Sequence, residues 1–248
     1  MDVKKTTKKR IMPIALITPT GGRPKQIELC SKFMKHQDYE GDVLWIVVDD
    51  CVPITTDCIP SDFRAGWTIN KIISPNKWVP GLNTQAKNLL MTISMVEQYK
   101  VDAIFIIEDD DYYSPQYLST MIEKMKGFDV AGQMCTVYYN PIFRGWMRNA
   151  NWKHASLFQV AFTPDMIPIF KKSCLIKRAF IDMSFFRIIS GLPYKVNLFD
   201  GKDLAIGMKG LPGRTGIGMG HRAEIRMNRD PDLDKLKELI GDDYMYYL

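Results

Sequence analysis

Short apolar runs alternate with amphipathic stretches along the first half of the chain. The runs at residues 13–19, 42–50, 70–75 and 101–111 have apolar interiors bounded by turn or acidic residues, which is typical of buried strands. Residues 83–100 carry apolar side chains at helical spacing. This rhythm predicts βαβ units, and therefore an α/β fold with a mostly parallel central sheet flanked by helices.

Turn and capping residues predict where the helices of this half begin. Pro24 is expected to open the first helix, directly after the sequence TGGR. Either Asn83 or Thr84 is expected to cap the helix over residues 83–100. Ser114 is expected to cap a third helix, whose first position is Pro115.

The regular alternation ends near residue 140. Residues 164–190 have a helical pattern, and residues 207–220 contain six glycines and are expected to form a mobile loop. A short helix is expected near the C-terminus, with Asp230 as its cap, Pro231 at its first position and Gly241 at its end. We expect one domain with an irregular second half.

Charge is distributed unevenly along the 248 residues, whose formal net charge is +5. Residues 1–10 form a basic segment that is expected to be a flexible tail before a single domain at 11–248. Residues 11–139 contain 11 basic and 16 acidic residues, whereas residues 140–229 contain 15 basic and 5 acidic ones. The basic segment is suited to a polyanionic partner, unless its charges are spread over unrelated faces.

Composition also bears on the cellular compartment. The five cysteines are odd in number and show no paired zinc spacing, so we expect reduced thiols. No apolar run reaches the roughly 18 residues that a transmembrane helix needs, and the basic N-terminus is not followed by a long apolar stretch. The expected location is the cytoplasm, or the host cytoplasm if the protein is viral.

Four consecutive acids, Glu108 to Asp111, follow the apolar run AIFII. Ligands of parallel sheets bind beyond the carboxyl ends of the strands, and the acids at 49–50 end another run at the same edge. Carboxylates in such a position suit Mg²⁺ or Mn²⁺, and Mg²⁺ is usually shared with substrate phosphates. The alternative is an acidic surface turn.

Several of these segments together resemble glycosyltransferase family 2, whose enzymes have the GT-A (Rossmann-like) fold. FIIEDDDYYSP is similar to the DxD region of that family, ITPTGGRP to its first-strand element, and VVDDC to its second-strand acids. GLNTQAKNLL is similar to its GxxxARN segment, with Lys87 where Arg is commoner. The likeness covers roughly residues 13–120.

The resemblance implies a transferase that moves a hexose from a nucleotide-sugar, expected to be a UDP-sugar, with Mn²⁺ or Mg²⁺ as cofactor. Residues 11–139 become the nucleotide-sugar-binding half and 140–248 the acceptor-binding half. The implied metal ligands are Asp111 first and then Asp109, with Glu108 as a supporting residue. The implied donor-site residues are Thr18, Pro19, Thr20, Arg23, Asp49 or Asp50, Lys87, Asn88, Asp109 and Asp110.

The base expected to deprotonate the acceptor hydroxyl lies in FDGKDLAIGM, which resembles the ED motif of the family. Asp203 is the first candidate and Asp200 the second. Alternatively, Asp203 only caps a helix that begins at Leu204.

The glycine-rich segment is followed by His221, which the resemblance implies as a further metal ligand, although a surface loop histidine is the alternative. Arg214 and Arg222 are expected to hold the diphosphate, or else to be solvated.

The acceptor side is expected in FRGWMRNANWKH, where Arg144, Trp146, Arg148 and Trp152 interleave charge with aromatic rings. Such residues pair with phosphates and stack on bases or sugars. A nucleic acid, such as hydroxymethylpyrimidine-containing viral DNA, is therefore one expected acceptor, and a surface polysaccharide or glycolipid is the other.

Two rival classes remain open from the sequence. A nucleotidyltransferase also uses a metal and a Rossmann-like sheet, and TGGRPK is a thin version of its phosphate-binding loop. The other rival is a non-catalytic nucleotide-binding protein, against which the intact runs of acids argue.

Overall fold

A computed structural model gives the structure of the protein, in which the described residues are 12–51, 58–60, 62–79, 82–176, 179–212, 216, 218–224 and 226–248. The expected basic tail at 1–10 and the candidate Arg214 lie outside these ranges.

Strands and helices alternate through the first half, as the apolar rhythm predicts. The strands are β1 (Ile14–Thr20), β2 (Val43–Asp49), β3 (Trp67–Ile73), β4 (Ala103–Ile106), β5 (Tyr112–Tyr113), β6 (Val130–Met134), β7 (Thr136–Asn140), β8 (Gly145–Asn149), β9 (Val160–Phe162), β10 (Val196–Asp200), β11 (Ala205–Met208) and β12 (Asn228–Arg229). The α-helices are α1 (Pro24–Lys35), α2 (Gln85–Val96), α3 (Tyr117–Met125), α4 (Ile167–Ile176), α5 (Ile181–Ile189) and α6 (Asp234–Ile240).

Seven strands form the main sheet, in the order β10-β6-β9-β4-β1-β2-β3. Neighbouring strands run parallel except at β9, which is antiparallel to both β4 and β6. The predicted α/β fold with a mostly parallel central sheet is thus confirmed. Because β9 and β10 come from the second half of the chain, both halves contribute to this one sheet.

The main sheet is covered on both faces, which explains the continuous apolar runs of its central strands. Alternate residues of β1 enter different cores: Ile14 and Leu16 pack in one core, while Ala15 and Ile17 pack in the other. Helices α1, α3 and α6 contribute to the first core, and α2, α4 and α5 to the second.

The predicted helix starts are partly confirmed. Helix α1 begins at Pro24, and Thr84, rather than Asn83, precedes the first residue of α2. The start predicted for α3 at Pro115 is wrong, because α3 begins at Tyr117. The backbone of Ser114 is engaged elsewhere, since its N–H donates to the Leu204 carbonyl and its own carbonyl accepts from the Gln37 side chain.

The second half differs more from expectation. Residues 164–190 form two helices, α4 and α5, rather than one helical stretch. Helix α6 ends at Gly241 as predicted but begins at Asp234 rather than at Pro231. The Asp230 carboxylate nevertheless accepts backbone N–H groups of the first turn of α6.

A second sheet of five strands, in the order β12-β8-β7-β11-β5, lies beside the first. Strand β11 pairs with β5, which directly follows the four acids, and with β7. The start of the glycine-rich segment at 207–208 is therefore strand, and residues 213–215 and 217 of that segment lie outside the described ranges. No helix in the described part of the chain has the length and apolar character that crossing a bilayer requires.

Candidate active site

A cleft of about 800 Å³ opens at the carboxyl ends of β1, β2 and β4. This is the edge at which the sequence predicts a ligand site, because all three strands are parallel and end there. Both halves of the chain line the cleft. Lining residues from the first half include Pro19, Thr20, Arg23, Asp50, Asn88, Glu108 and Asp110, and those from the second include Asn149, His154, Asp182, Lys209 and His221.

The four acids that follow β4, here called the acid row (Glu108 to Asp111), form a turn whose members differ in their partners, although Asp109 and Asp110 share Arg23. Asp109 is buried and binds the Arg23 guanidinium and the Thr20 hydroxyl, the latter at 2.5 Å. Arg23 also binds Asp110 at 2.9 Å. Burial raises the pKa of Asp109 to about 6, although Arg23 and Thr20 oppose the shift. Arg23 thus clamps the middle of the acid row from the start of α1.

Asp111 points away from Arg23, toward β11. Its Oδ1 atom accepts the Met208 N–H at 2.8 Å and the Lys209 ammonium at 2.9 Å. Its Oδ2 atom is buried and has no hydrogen-bond partner among the described residues. Burial alone would lower the pKa of Lys209, but Asp111, Asp110 and Glu108 together raise it, so the ammonium stays charged. A buried carboxylate oxygen without a donor is an acceptor that a cation can satisfy.

Three carboxylates of the acid row are grouped closely enough to hold one metal ion. Glu108, Asp110 and Asp111 each offer an oxygen, and these atoms lie within 4.8 Å of one another. Glu108 is also held by the Gln85 amide at 2.7 Å. Hard oxygen ligands in this number fit Mg²⁺ or Mn²⁺, and the unpartnered Oδ2 of Asp111 gives the ion a ligand atom. The structure groups Glu108, rather than the predicted Asp109, with Asp111.

His221 also lines the cleft, close to the acid row. Its Nδ1 atom accepts the Gly210 N–H at 3.4 Å. Burial and the nearby Lys209 ammonium lower its pKa to about 4, although Asp110 opposes the shift. The imidazole is therefore neutral near pH 7, which is the form that binds metals. Its assignment as a metal ligand stays a prediction.

Asp49 and Asp50, at the end of β2, are the two alternative donor-site acids in the sequence, and the structure gives them different surroundings. Asp50 is buried, lines the cleft, and accepts the Asn88 amide at 2.8 Å and the Thr84 hydroxyl. Asp49 instead accepts the Cys51 N–H at 2.8 Å and is not one of the cleft-lining residues.

The remaining predicted donor-site residues fall into two groups. Pro19, Thr20 and Asn88 line the cleft. Thr18 lies inside the sheet, where its hydroxyl accepts the Trp45 indole N–H at 2.9 Å. Lys87 is exposed on α2 and Arg222 is exposed after the glycine-rich segment, and neither is among the residues that line the cleft.

The chain was compared with models of known protein families, with curated proteins and with solved structures. No model of a known protein family matches the sequence, and no curated protein matches it. Among solved structures, the chain is similar to a crystal structure of S. aureus TarS, at 14% identity and a TM-score of 0.57, over 79% of this chain and 37% of that one. It is also similar to TarS 1–349 in complex with UDP-GlcNAc, at 15% identity and a TM-score of 0.58, over 86% of this chain and 62% of that one.

The chain has the GT-A fold. The matched part makes up 37% of the first of these two TarS chains and 62% of the second, so this chain spans less than two thirds of the length of each.

Within the GT-A cleft, one acid of the second half was missed in the sequence. Asp182 lies in the first turn of α5 and lines the cleft. Burial raises its pKa, and its charge acts on Glu108 across the cleft. The residue before α5, Phe180, also lines the cleft and has a left-handed backbone with φ of 55°. The sequence signal was an acid in the first turn of an amphipathic helix, which is common and therefore weak.

The acids predicted as base lie elsewhere. No helix begins at Leu204, because β11 starts at Ala205 and pairs with β5 and β7, so the alternative in which Asp203 caps a helix is wrong. Asp203 faces Arg148 at 3.4 Å, and Asp200 is exposed and accepts the Lys202 N–H at 3.2 Å. Neither acid is among the residues that line the cleft.

The predicted acceptor residues do not gather at the cleft. Trp146 packs under the Lys235 ammonium, 4.9 Å from the ring centre, and Arg144 donates to the Pro231 carbonyl. Arg148 is exposed and pairs with Asp203, and Trp152 is 69% exposed. The residues of this stretch that line the cleft are Asn149, Asn151 and His154.

Proposed function

We propose that the chain is a glycosyltransferase that moves a sugar from a UDP-sugar to a hydroxyl acceptor, with a divalent metal as cofactor. The observation that carries the proposal is the buried, unpartnered Oδ2 of Asp111. Asp111 is grouped with Glu108 and Asp110, which line the cleft together with Arg23 and Asp50. A UDP-GlcNAc complex among the structural neighbours supports a UDP-sugar as donor.

The donor is held by residues of the first half. Asp50 lines the cleft and is held in place by Asn88 and Thr84, and a carboxylate in that position suits the base or ribose of the nucleotide. Arg23 orients Asp109 and Asp110 by direct contact, and its charge favours their ionised forms. Glu108, Asp110 and Asp111 would hold Mg²⁺ or Mn²⁺, which when bound neutralises the diphosphate leaving group as a Lewis acid.

We propose Asp182, in place of Asp203, as the general base that takes the proton of the acceptor hydroxyl. Asp182 lines the same cleft as Glu108 and Asp110 but belongs to the second half of the chain, and it forms no ion pair with another described residue. Its raised pKa brings it closer to the operating pH than an exposed aspartate, which favours proton transfer. Direct attack by the deprotonated hydroxyl implies inversion at the sugar.

We propose that the acceptor is a polyanion, namely DNA that contains hydroxymethylpyrimidine. The excess of basic residues over 140–229 supports it, as does the exposed Trp152 beside the cleft-lining Asn151. A polysaccharide or glycolipid acceptor is the alternative. Binding that weakens steeply with salt favours DNA, because counterion release dominates nucleic-acid affinity.

A thermal-shift experiment tests the donor proposal. We expect UDP with Mn²⁺ to raise the melting temperature of the wild type, and Asp111→Asn to abolish most of that shift. Asp242→Asn, which alters an exposed acid of the C-terminal segment, is the matched control. If nucleoside triphosphate with Mg²⁺ stabilises the protein and UDP with Mn²⁺ does not, the nucleotidyltransferase class replaces the proposal. If neither shifts the melting temperature, nucleotide binding itself is refuted.

A further inference from the structure

Lys209 is a buried cation built into the acid row from the second half of the chain. It follows β11 directly, is 6% exposed, and its ammonium lies 2.9 Å from Asp111 Oδ1. The ammonium also lies over two rings, 5.3 Å from the centre of Phe158 and 5.7 Å from that of Tyr138. Lys209 lines the cleft, whereas Asp111 is not among the lining residues.

The surroundings of Lys209 are shaped for its long side chain. A Cβ atom added at Gly220 would lie 3.2 Å from Lys209 Cγ, and one added at Gly207 would lie 3.2 Å from its Cε. Gly220 also has φ of 83°, which disfavours a side chain at that position. The backbone thus packs closely against the aliphatic stem on two sides, and this fixes where the ammonium points.

Among the described residues, Arg23 and Lys209 are the cations in ion-pair contact with the four carboxylates of the acid row. Arg23 serves Asp109 and Asp110, and Lys209 serves Asp111. The row thus has four carboxyl groups and two cationic partners, so one divalent ion would balance its charge when all four carboxyls are ionised. Lys209 occupies one oxygen of Asp111 and leaves the other, Oδ2, without a partner.

We propose that Asp111 is shared between two cations, with Lys209 on Oδ1 and the divalent ion on Oδ2, and that Lys209 is a positioning residue that sets the affinity of the site for the ion. This inference rests on the proposed metal site. Lys209 orients Asp111 before the ion arrives, and its charge repels the ion that binds beside it. Two variants separate these effects. A neutral side chain removes both the orientation of Asp111 and the repulsion of the ion, whereas an arginine retains the charge and therefore the repulsion.

The experiment is a titration of the metal-free full chain with Mn²⁺ at pH 8, with free Mn²⁺ followed by its electron paramagnetic resonance signal. We expect Lys209→Met to bind Mn²⁺ roughly tenfold more tightly than the wild type, because the repulsion is gone. The metal-free variant should melt at a lower temperature, and Mn²⁺ should stabilise it by more degrees than it stabilises the wild type. Lys209→Arg should bind Mn²⁺ within about threefold of the wild type.

The controls make the outcome decisive. Lys172→Met removes an exposed lysine of α4 and should leave Mn²⁺ affinity unchanged. If Lys209→Met is too unstable to purify, Lys209→Gln replaces it with the same expected tightening. Unchanged or weaker Mn²⁺ binding by a folded neutral variant overturns the inference. Tightened Mn²⁺ binding in a protein that ignores UDP supports the inference while refuting the proposed transferase.

Discussion

The two halves of the chain face one cleft but support their functional side chains differently. Residues 12–139 present theirs just after β1, β2 and β4, where ladder hydrogen bonds on both sides fix the backbone. Residues 140–248 present theirs from the first turn of α5 and from the segment that follows β11. Strand β11 has four residues and pairs with β5, which directly follows the acid row. The proposed donor side is thus built into the main sheet, whereas the proposed acceptor side depends on packing between shorter elements. Substitutions in the two halves should therefore fail differently.

The largest expected effect comes from the second half. Asp182→Asn should lower kcat by about 10²–10⁴-fold, because it removes general base catalysis. The affinity for UDP should stay within about threefold of the wild type, since the proposed nucleotide contacts belong to the first half. Asp203→Asn is the matched control, with kcat expected within about threefold. Steady-state kinetics with UDP titrations decide the matter, and the reverse pattern would restore Asp203 as the base.

A change in the first half should have the opposite signature. Arg23→Gln should weaken UDP binding in the presence of Mn²⁺ by roughly 10–100-fold, because the cleft loses a cation that would face the anionic diphosphate and that orients Asp109 and Asp110. Calorimetric titration measures this. Lys87→Gln, on the exposed face of α2, should change UDP affinity by less than about twofold. A large effect at Lys87 would show that the donor site extends beyond the cleft described here.

The pH dependence offers a third test of the division. Because burial raises the pKa of Asp182, its base form is lost at a higher pH than for an ordinary aspartate. The rate should therefore rise with pH through that raised pKa, by up to about tenfold per pH unit below it. A profile of log kcat against pH, measured at saturating metal, should show this limb, and residual activity of Asp182→Asn should lack it. A limb that persists in the variant assigns the titration to another group.

The smallest expected effect concerns the proposed polyanionic acceptor. Arg148→Gln should reduce the slope of log affinity for DNA against log salt by about one, the value for one lost phosphate contact. Fluorescence anisotropy with hydroxymethylpyrimidine-containing DNA at several salt concentrations measures the slope. Lys172→Gln on α4 is the control. Equal slopes for the wild type and Arg148→Gln would remove Arg148 from the acceptor surface.

The sequence predicted the first half well because topology alone decides much of it. Parallel strands end at one edge, so buried apolar runs followed by Thr20, Asp50 and the acid row sufficed to predict the cleft. The sequence did not predict which partner each acid of the row contacts. Asp109 is engaged by Arg23 and Thr20, and only side-chain packing determines that Glu108, rather than Asp109, lies beside Asp111.

The second half was predicted poorly because its site residues depend on contacts between distant segments. The run after Asp203 has a helical cap at its start, yet β11 forms there because Ala205 and Ile206 pair with Tyr113 and Tyr112. Asp182 faces the cleft only because α5 packs in the second core with α4. Local sequence shows neither which strands β11 pairs with nor which helix α5 packs against.

The antiparallel strand β9 has a consequence for the order in which the protein folds. Strands β4 and β6 belong to the first half, but they are joined laterally only through β9, which is made later in synthesis. A nascent chain that stops before Val160 therefore lacks the strand that attaches β6 to β4. Pairing over such a sequence separation is slow compared with local contacts. During translation, the edges of β4 and β6 that face β9 stay unpaired until β9 has been made. Unpaired strand edges are prone to aggregation, so we expect a ribosome-bound chaperone to protect the chain during this interval.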